Sequence, residues 1–167
     1  DYYSKVTADG YDEWAKVCNW NNPEYLVDLI GKGKVVDIDS NCQVLDVGAG
    51  TGVIGKLLME KEGFTNITAL DATESMIEKA KETGAYKDLR CMYVGQGLDM
   101  YPADLKDKFD LVTACGCFME GHIPYAGFDD VHASLKTGGR FVVCFKECYW
   151  IDGTKEHYKE KCDELVA

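Results

Sequence analysis

The stretch VLDVGAGTG, residues 44–52, places an acid and three alternating glycines where a strand is expected to turn into a helix. Glycine tolerates left-handed backbone conformations and lets a loop pass close to a bound molecule. Asp71 follows roughly 20 residues later at the end of the next apolar run, a position from which a carboxylate reaches both hydroxyls of a ribose. Asp71 could also simply cap the next helix, but together the loop and the acid favour a nucleoside ligand over a bare turn.

The glycine spacing bears on which nucleoside binds. A dinucleotide fingerprint needs Gly-x-Gly-x-x-Gly, and Val53 stands where the final glycine should follow Gly48 and Gly50. Asp46 lies just before the loop, where its charge would repel a pyrophosphate but attract an ammonium group. No Gly-Lys-Ser/Thr follows the glycines, which excludes a P-loop. The pattern therefore predicts S-adenosylmethionine, which carries a ribose, an ammonium group and no phosphate.

Strands and helices alternate from Cys42 onward and must position these residues. Apolar runs predict five strands, at 42–48, 66–71, 90–95, 109–118 and 140–145. Helical periods with glycine stops predict helices at 51–63, 73–84, 125–139 and 154–167. Nearly continuous apolar strands separated by helices are typical of a doubly wound α/β fold, with a mainly parallel sheet covered on both faces. We expect one domain, with a helical segment at 1–41 and an α/β core at 42–167.

Charge and cysteine content limit the partners and the compartment. The 167 residues include 18 Lys or Arg and 29 Asp or Glu, a net charge of −11. Nucleic acids bind through Lys and Arg, so we expect no nucleic-acid partner. The chain shows no signal peptide and no long apolar run, so we expect no membrane association. Its eight cysteines include no Cys-x-x-Cys pair, which predicts free thiols, no metal and a reducing, cytoplasmic location.

Over nearly its whole length, the chain resembles class I S-adenosylmethionine-dependent methyltransferases. VLDVGAGTG is similar to the first motif of that family, ALDATESMIEKAK to its acidic second-strand motif, and VGQGLD to the adenine-binding turn after the third strand. KFDLVTACGCF and LKTGGRFVV are similar to the fourth strand and the turn into the fifth. Within the family, GQ after the third strand and EGHIP after the fourth resemble the subfamily of the Williams-Beuren-region protein. The resemblance implies a Rossmann-like methyltransferase fold.

The resemblance also implies a role for individual residues around S-adenosylmethionine. Asp46 would face the ammonium group, and Asp71 would hold the ribose hydroxyls. The other implied contacts are Gly48, Ala49 and Gly50 along the methionine and ribose, Ala72 and Met76 beside the adenine, Gln96 and the Gly97 backbone at its polar edge, and Cys115 near the sulfonium. Met76 could equally be a core residue of its helix.

The two ends of the chain depart from the family pattern. Tyr11 and Trp14 match an aromatic segment that closes over the cofactor, but Cys18 and Asn19 replace its second Tyr-Asp pair. The sheet usually ends with an antiparallel strand pair, and this pair is missing here, either truncated or not present in this form. Because the sequence begins without a methionine, we expect that some N-terminal residues are missing as well.

Methyl transfer from a sulfonium discharges the positive charge of the cofactor, so alignment and exclusion of water can supply most of the catalysis. No catalytic acid or base is assigned. Glu120 and His122 are candidate substrate contacts, although a loop histidine more often binds the backbone. ACGCF replaces the Asn/Asp-Pro-Pro-aromatic stretch of base methyltransferases, so a small-molecule acceptor is favoured and a protein acceptor comes second. Two alternatives stay open: a non-catalytic S-adenosylmethionine-binding module that acts through a partner, and a nicotinamide-dependent oxidoreductase.

Overall fold

The computed structural model describes residues 8–31, 38–151, 155 and 157–166. The helices are α1 (Ala8–Val17), α2 (Asn22–Gly31), α3 (Val53–Glu62), α4 (Glu74–Glu82), α5 (Gly127–Ser134) and α6 (Tyr158–Val166). The strands are β1 (Val44–Val47), β2 (Ile67–Asp71), β3 (Tyr86–Cys91), β4 (Phe109–Cys115) and β5 (Leu135–Cys144). Short 3-10 helices cover Ala103–Leu105 and Glu147–Tyr149. No helix in this described part is long and apolar enough to cross a bilayer.

The five strands form one parallel sheet in the order β3-β2-β1-β4-β5. Strand β1 is central, with Val44 opposite Ile67 of β2 on one side and Leu111 of β4 on the other. The chain runs outward to β3, returns past β1 to β4, and so reverses the strand order at the β1–β4 boundary. Ligands of doubly wound folds bind at such a point, beyond the carboxyl ends of the strands. The predicted doubly wound fold is confirmed, and the described residues contain no antiparallel strand pair.

Alternate residues of the strands bury against two helical layers, since successive side chains point to opposite faces of a sheet. Leu45 and Val47 join the core that contains Phe128 of α5 and Tyr158 of α6. Val44 joins the core on the other face, with residues of α2 and α3. Each strand of the centre is therefore covered on both faces, which is why its sequence is almost continuously apolar.

The third strand begins earlier than predicted. It covers Tyr86–Cys91 instead of 90–95, so the predicted strand began four residues too late. β3 is an edge strand, and an edge tolerates charged side chains such as Lys87, Asp88 and Arg90 that do not form an apolar run. As a consequence, the loop that follows β3 at the carboxyl edge of the sheet starts at Met92.

The fifth strand is also longer than predicted, and α5 is shorter. The helix ends at Ser134, while the LKTGG segment belongs to β5. Phe109 pairs with Leu135 but Leu111 pairs with Arg140, so the intervening residues of β5 bulge out of register. The two glycines interpreted as a helix stop mark this bulge. The expected N-terminal segment 1–41 contains α1 and α2, and its residues 1–7 and 32–37 lie outside the described residues, as do parts of the predicted 154–167 helix.

Candidate functional site

A cavity of about 150 Å³ lies at the carboxyl ends of the central strands, where the strand order reverses. Five segments form its walls: the glycine loop, the end of β2 with the start of α4, the loop after β3, the loop after β4, and Tyr11 of α1. Strands β1 and β2 are parallel neighbours, so their carboxyl ends lie side by side. The glycine loop after β1 is therefore next to Asp71 at the end of β2.

The glycine loop lines the cavity with two glycines in left-handed conformations. Gly48 has φ +66 and Gly50 has φ +54, a region that L side chains rarely adopt. A Cβ on Gly48 would lie 2.5 Å from the Cβ of Cys117, so glycine is needed there for packing against the loop after β4. A Cβ on Gly50 would meet no atom within 4 Å. The open space beside Gly50 leaves this backbone accessible to a ligand.

Asp71 lies at the cavity wall with both carboxylate oxygens engaged by backbone amides. The N–H of Gly50 donates to Oδ2 at 2.8 Å, and the N–H of Thr73 donates to Oδ1 at 2.9 Å. Burial raises the pKa of this carboxyl, while the backbone amides act in the opposite direction. Each oxygen keeps lone-pair capacity for a further donor. Asp71 can therefore join the loop to α4 and still accept hydrogen bonds from two ribose hydroxyls.

The side of the cavity that suits an apolar ring is built from Ala72 and Met76 together with the loop after β3. Met76 is 3% exposed, so it belongs to the packed interior as well as to the wall. Met92, Tyr93 and Val94 line this side and were missed by the sequence analysis. Because β3 ends at Cys91 and not at residue 95, these three residues belong to the loop that lines the cavity and not to the strand.

Two residues predicted at the polar edge of an adenine lie elsewhere. Gln96 and Gly97 are exposed and do not line the cavity. The misplaced β3 boundary accounts for this difference. Ala49 is also absent from the cavity wall; its N–H donates to the carbonyl of Leu70 at 3.0 Å and fastens the glycine loop to β2.

The opposite wall comes from the end of β4, where Cys115 and Cys117 face the cavity. Cys115 pairs with Cys144 of β5, and a hydrogen bond between their side chains raises the pKa of Cys115 and lowers that of Cys144 to about 7. Burial raises the pKa of Cys117, whose Sγ donates to the Val47 carbonyl at 3.3 Å. The two cysteines that line the cavity are thus protonated and uncharged at neutral pH.

Of the two candidate substrate contacts, His122 lines the cavity and Glu120 does not. The Nδ1 atom of His122 lies 3.1 Å from the backbone oxygen of Glu120. The Glu120 carboxylate forms an exposed ion pair with Lys155 at 2.6 Å, and this hydrogen bond lowers its pKa. The described residues contain no cluster of side chains able to hold a metal ion.

The aromatic segment of α1 covers one side of the cavity through Tyr11. The Tyr11 ring lies 5.8 Å from Trp14 and 6.2 Å from Trp20, measured between centroids. Trp14 is 52% exposed and does not reach the cavity. The hydroxyl of Thr51 in the glycine loop donates to Asp12 at 2.8 Å, which ties α1 to the loop. The sequence analysis missed Trp20, which follows no recognisable spacing, and it missed the bond between Asp12 and Thr51, which joins residues 39 positions apart.

Asp46 lies beneath the glycine loop and does not line the cavity. It is 1% exposed, its Oδ2 accepts a hydrogen bond from the Tyr86 hydroxyl at 2.7 Å, and its Oδ1 accepts one from Thr113 at 3.0 Å. Burial raises its pKa to about 7, although both hydrogen bonds oppose the shift. A charge on Asp46 can act on a ligand from below the loop, but its oxygens are engaged by protein groups.

The residues that line the cavity fit a nucleoside with an amino-acid tail. Asp71 offers acceptors for a ribose, Ala72 and Met76 offer an apolar slot, and the open space at Gly50 admits a ligand against bare backbone. The cavity of about 150 Å³ is smaller than the usual 300–1,000 Å³ of ligand sites.

Comparisons with known proteins agree with this geometry. Residues 38–166 match a family model described as a methyltransferase domain. A malonyl-[acyl-carrier protein] O-methyltransferase of Acetivibrio thermocellus is 34% identical over 113 residues, covering 66% of this chain and 36% of the relative. Human methyltransferase-like protein 27 is 27% identical over 143 residues, covering 86% of this chain and 55% of the relative. The chain thus spans about half the length, or less, of these curated relatives.

Solved structures give the same fold. A TehB-like S-adenosylmethionine-dependent methyltransferase from Corynebacterium glutamicum superposes with a TM-score of 0.67 at 20% identity, covering 95% of this chain and 82% of that one. At this identity the likeness concerns the fold alone. The family model, in contrast, covers most of the chain, including the glycine loop and Asp71. The chain therefore belongs to the class I S-adenosylmethionine-dependent methyltransferases, whose cofactor is S-adenosylmethionine.

Proposed function

We propose that this protein transfers a methyl group from S-adenosylmethionine to a small-molecule acceptor. The observation that carries the proposal is the pairing of Asp71 with Gly50 at the cavity wall, where a carboxylate with free lone pairs meets an open stretch of backbone. That pairing suits the ribose of a nucleoside and leaves the glycine loop for its amino-acid tail.

In this proposal the protein contributes binding, orientation and a dry environment. Asp71 holds the ribose hydroxyls, while Ala72, Met76 and Val94 enclose the adenine. The bound cofactor supplies an electrophilic methyl group on a sulfonium. Cys115 and Cys117 form the wall nearest β4, and since both thiols are neutral, they offer no competing thiolate nucleophile. Alignment and water exclusion then account for the rate, with no dedicated acid or base.

We assign His122 to the acceptor side of the site. Its ring lines the cavity on the loop after β4, next to Gly121 and Ile123. A neutral imidazole can accept the proton of an acceptor hydroxyl or amine, and it can also orient that group by a hydrogen bond. Glu120 is a weaker candidate because its carboxylate is paired with Lys155 at 2.6 Å.

Several features support a small molecule as the acceptor. The cavity has a volume of about 150 Å³ with Tyr11 in its wall, and the net charge of −11 disfavours a nucleic-acid backbone. A protein side chain is the second choice. The A. thermocellus relative is named as a malonyl-[acyl-carrier protein] O-methyltransferase, and an acyl acceptor is compatible with this site. The eight cysteines, all free in the described residues, support our proposal of a reducing, cytoplasmic location.

The test uses S-adenosylmethionine with an isotopically labelled methyl group. The purified protein is incubated with the labelled cofactor and a fractionated metabolite pool, and any species that gains label is identified by mass spectrometry. A His122→Ala variant tests the acceptor side, where it should lower turnover without weakening cofactor binding. Binding of the cofactor with no turnover against any fraction would instead support a non-catalytic module that acts through a partner.

A further inference from the structure

The ring of Tyr86 lies beneath the glycine loop, a place that the proposed function does not explain. It occupies the space that side chains at two glycine positions, one in α3 and one in the loop, would otherwise fill. A Cβ on Gly55 would lie 2.3 Å from the Cζ of Tyr86, and a Cβ on Gly52 would lie 3.1 Å from its Cε2. Position 55 must therefore be glycine for the Tyr86 ring to fit, and the absence of a side chain at Gly52 leaves further room for it.

The Tyr86 hydroxyl connects the first turn of α3 to Asp46. The N–H of Gly55 donates to the hydroxyl oxygen at 3.1 Å, and the hydroxyl donates to Asp46 Oδ2 at 2.7 Å. The first N–H groups of a helix have no internal partner, and Gly52 provides no side-chain cap for α3. Tyr86 supplies the missing acceptor from a strand more than 30 positions away in the sequence.

This arrangement changes what the N-terminus of α3 can bind. A free helix N-terminus carries partial positive charge and attracts anions such as a pyrophosphate. Here one of its amides is engaged by Tyr86, and Asp46 lies behind it. The titratable groups that face Asp46 are Tyr86 from β3, Asp71 from β2, and Cys115 and Cys117 at the end of β4. An anionic Asp46 among these groups favours a cationic ligand group at the loop.

We propose that Tyr86 is a positioning and specificity residue for cofactor binding. Its hydroxyl fixes the glycine loop against Asp46, and the pair converts the α3 N-terminus from an anion site into one that prefers the ammonium end of S-adenosylmethionine. This inference rests on the proposed function, because it concerns the same cavity.

The test compares Tyr86→Phe with a matched control, Tyr101→Phe. Tyr101 is also buried, and its hydroxyl bonds Ser134 at 2.7 Å away from the cavity. Calorimetry measures binding of S-adenosylhomocysteine and NAD, and thermal melting measures stability. Tyr86→Phe should weaken S-adenosylhomocysteine binding about tenfold or more and reduce its preference over NAD. Tyr101→Phe should melt lower with unchanged affinity.

A pH profile separates positioning from mere packing. In a His122→Asn background, which removes the imidazole from the cavity wall, affinity for S-adenosylhomocysteine should rise with pH through about 7 as Asp46 ionises. The midpoint should move upward in Tyr86→Phe, since the carboxylate loses a donor. Asp46→Asn should abolish the dependence, and this variant provides the answer even if Tyr86→Phe does not fold.

Three outcomes would overturn the inference, and they differ in what else they overturn. If the parent and Tyr86→Phe have equal affinity and equal pH profiles, the hydroxyl is structural only. If the parent and Asp46→Asn have equal affinity and equal pH profiles, the charge of Asp46 does not select the ligand. The proposed function would survive either of these results. If the parent protein itself does not bind S-adenosylhomocysteine, the proposed function fails together with the inference.

Discussion

The carboxylate of Asp71 and the backbone amide of Gly50 are joined by a hydrogen bond of 2.8 Å. This bond ties the end of β2 to the glycine loop after β1. The other oxygen of Asp71 accepts the N–H of Thr73 at 2.9 Å, just before the start of α4. Thr73 makes no side-chain capping bond of its own. The ligand role and the capping role considered for Asp71 are therefore compatible in one side chain.

Replacing Asp71 with alanine should weaken both cofactor binding and stability. Two hydrogen bonds from ribose hydroxyls to a charged acceptor are worth about 1.5–3 kcal/mol each, so affinity for S-adenosylhomocysteine should fall roughly a hundredfold or more. Loss of the acceptor for Thr73 should lower the free energy of unfolding by about 1 kcal/mol. Calorimetry and denaturant unfolding measure the two effects.

Asp110→Ala is the matched control for Asp71→Ala. Its carboxylate also accepts a backbone amide, from Gln43 at 2.8 Å, but at the opposite end of the sheet. We expect a comparable loss of stability with unchanged affinity. If Asp71→Ala behaves like Asp110→Ala in both measurements, Asp71 is a structural residue and does not hold the ribose.

Adding one methyl group at Gly50 should interfere with the ligand specifically. Gly50→Ala and Gly63→Ala both place a Cβ at positive φ in open space, at φ +54 and +76. Each should lose about 1–2 kcal/mol of stability from backbone strain. Gly50 lines the cavity and Gly63 does not, so of these two variants only Gly50→Ala should also weaken S-adenosylhomocysteine binding. Equal affinity of the two variants would place the ligand away from the loop.

Cofactor binding should order α1. Tyr11 covers a cavity of about 150 Å³, and Asp12 anchors the helix to Thr51 at 2.8 Å. We expect α1 to move aside for ligand entry and to close again over the bound ligand, because methyl transfer needs water to be excluded. Hydrogen exchange of the Ala8–Val17 amides should slow when S-adenosylhomocysteine binds, with α6 as the internal reference. The same exchange rate in the free and bound protein would argue against a lid.

The buried Asp46 should make the ligand-free protein less stable as pH rises. Its pKa is about 7 in the folded protein, against 3.8 for an ordinary aspartate. A raised carboxyl pKa means that the contribution to stability is complete below about pH 4 and is lost progressively up to about pH 7. About three units correspond to roughly 4 kcal/mol as an upper bound.

The matched variant for this prediction is Asp46→Asn, which keeps the side-chain shape and cannot ionise. Denaturant unfolding at several pH values between 4 and 8 should show a decline in the parent that is reduced in Asp46→Asn. Parallel profiles would indicate that Asp46 titrates at an ordinary pKa and that its burial is compensated by groups other than Tyr86 and Thr113.

The central elements of the fold could be predicted because their sequence patterns are local. β1, β2 and β4 are buried on both faces, so each is an apolar run with a glycine turn or an acid at its end. β3 and the first part of β5 could not be placed, because an edge position and a bulge free them from the apolar pattern. The same difference in β3 leaves Gln96 and Gly97, which were expected to contact an adenine, outside the cavity wall, and Met92–Val94 line that wall instead.

Contacts between residues far apart in the chain could not be predicted unless a motif of fixed spacing linked them. Gly48, Gly50 and Asp71 came from a motif of fixed spacing, and the structure brings them together. The contact of Tyr86 with Asp46 joins residues 40 positions apart, and no local pattern reports it. Asp46 was expected to face the ligand directly, but it is buried below the loop, where its oxygens bind Tyr86 of β3 and Thr113 of β4.

The most direct test of the account is a comparison of ligand binding by titration calorimetry with the purified protein. S-adenosylmethionine and S-adenosylhomocysteine should both bind at one site per chain, with affinity lost in Asp71→Ala and Gly50→Ala, while NAD should not bind measurably. Asp46 behind the loop and Val53 in place of a third glycine are the reasons for that preference. Tight NAD binding with weak or absent binding of S-adenosylmethionine would contradict the account.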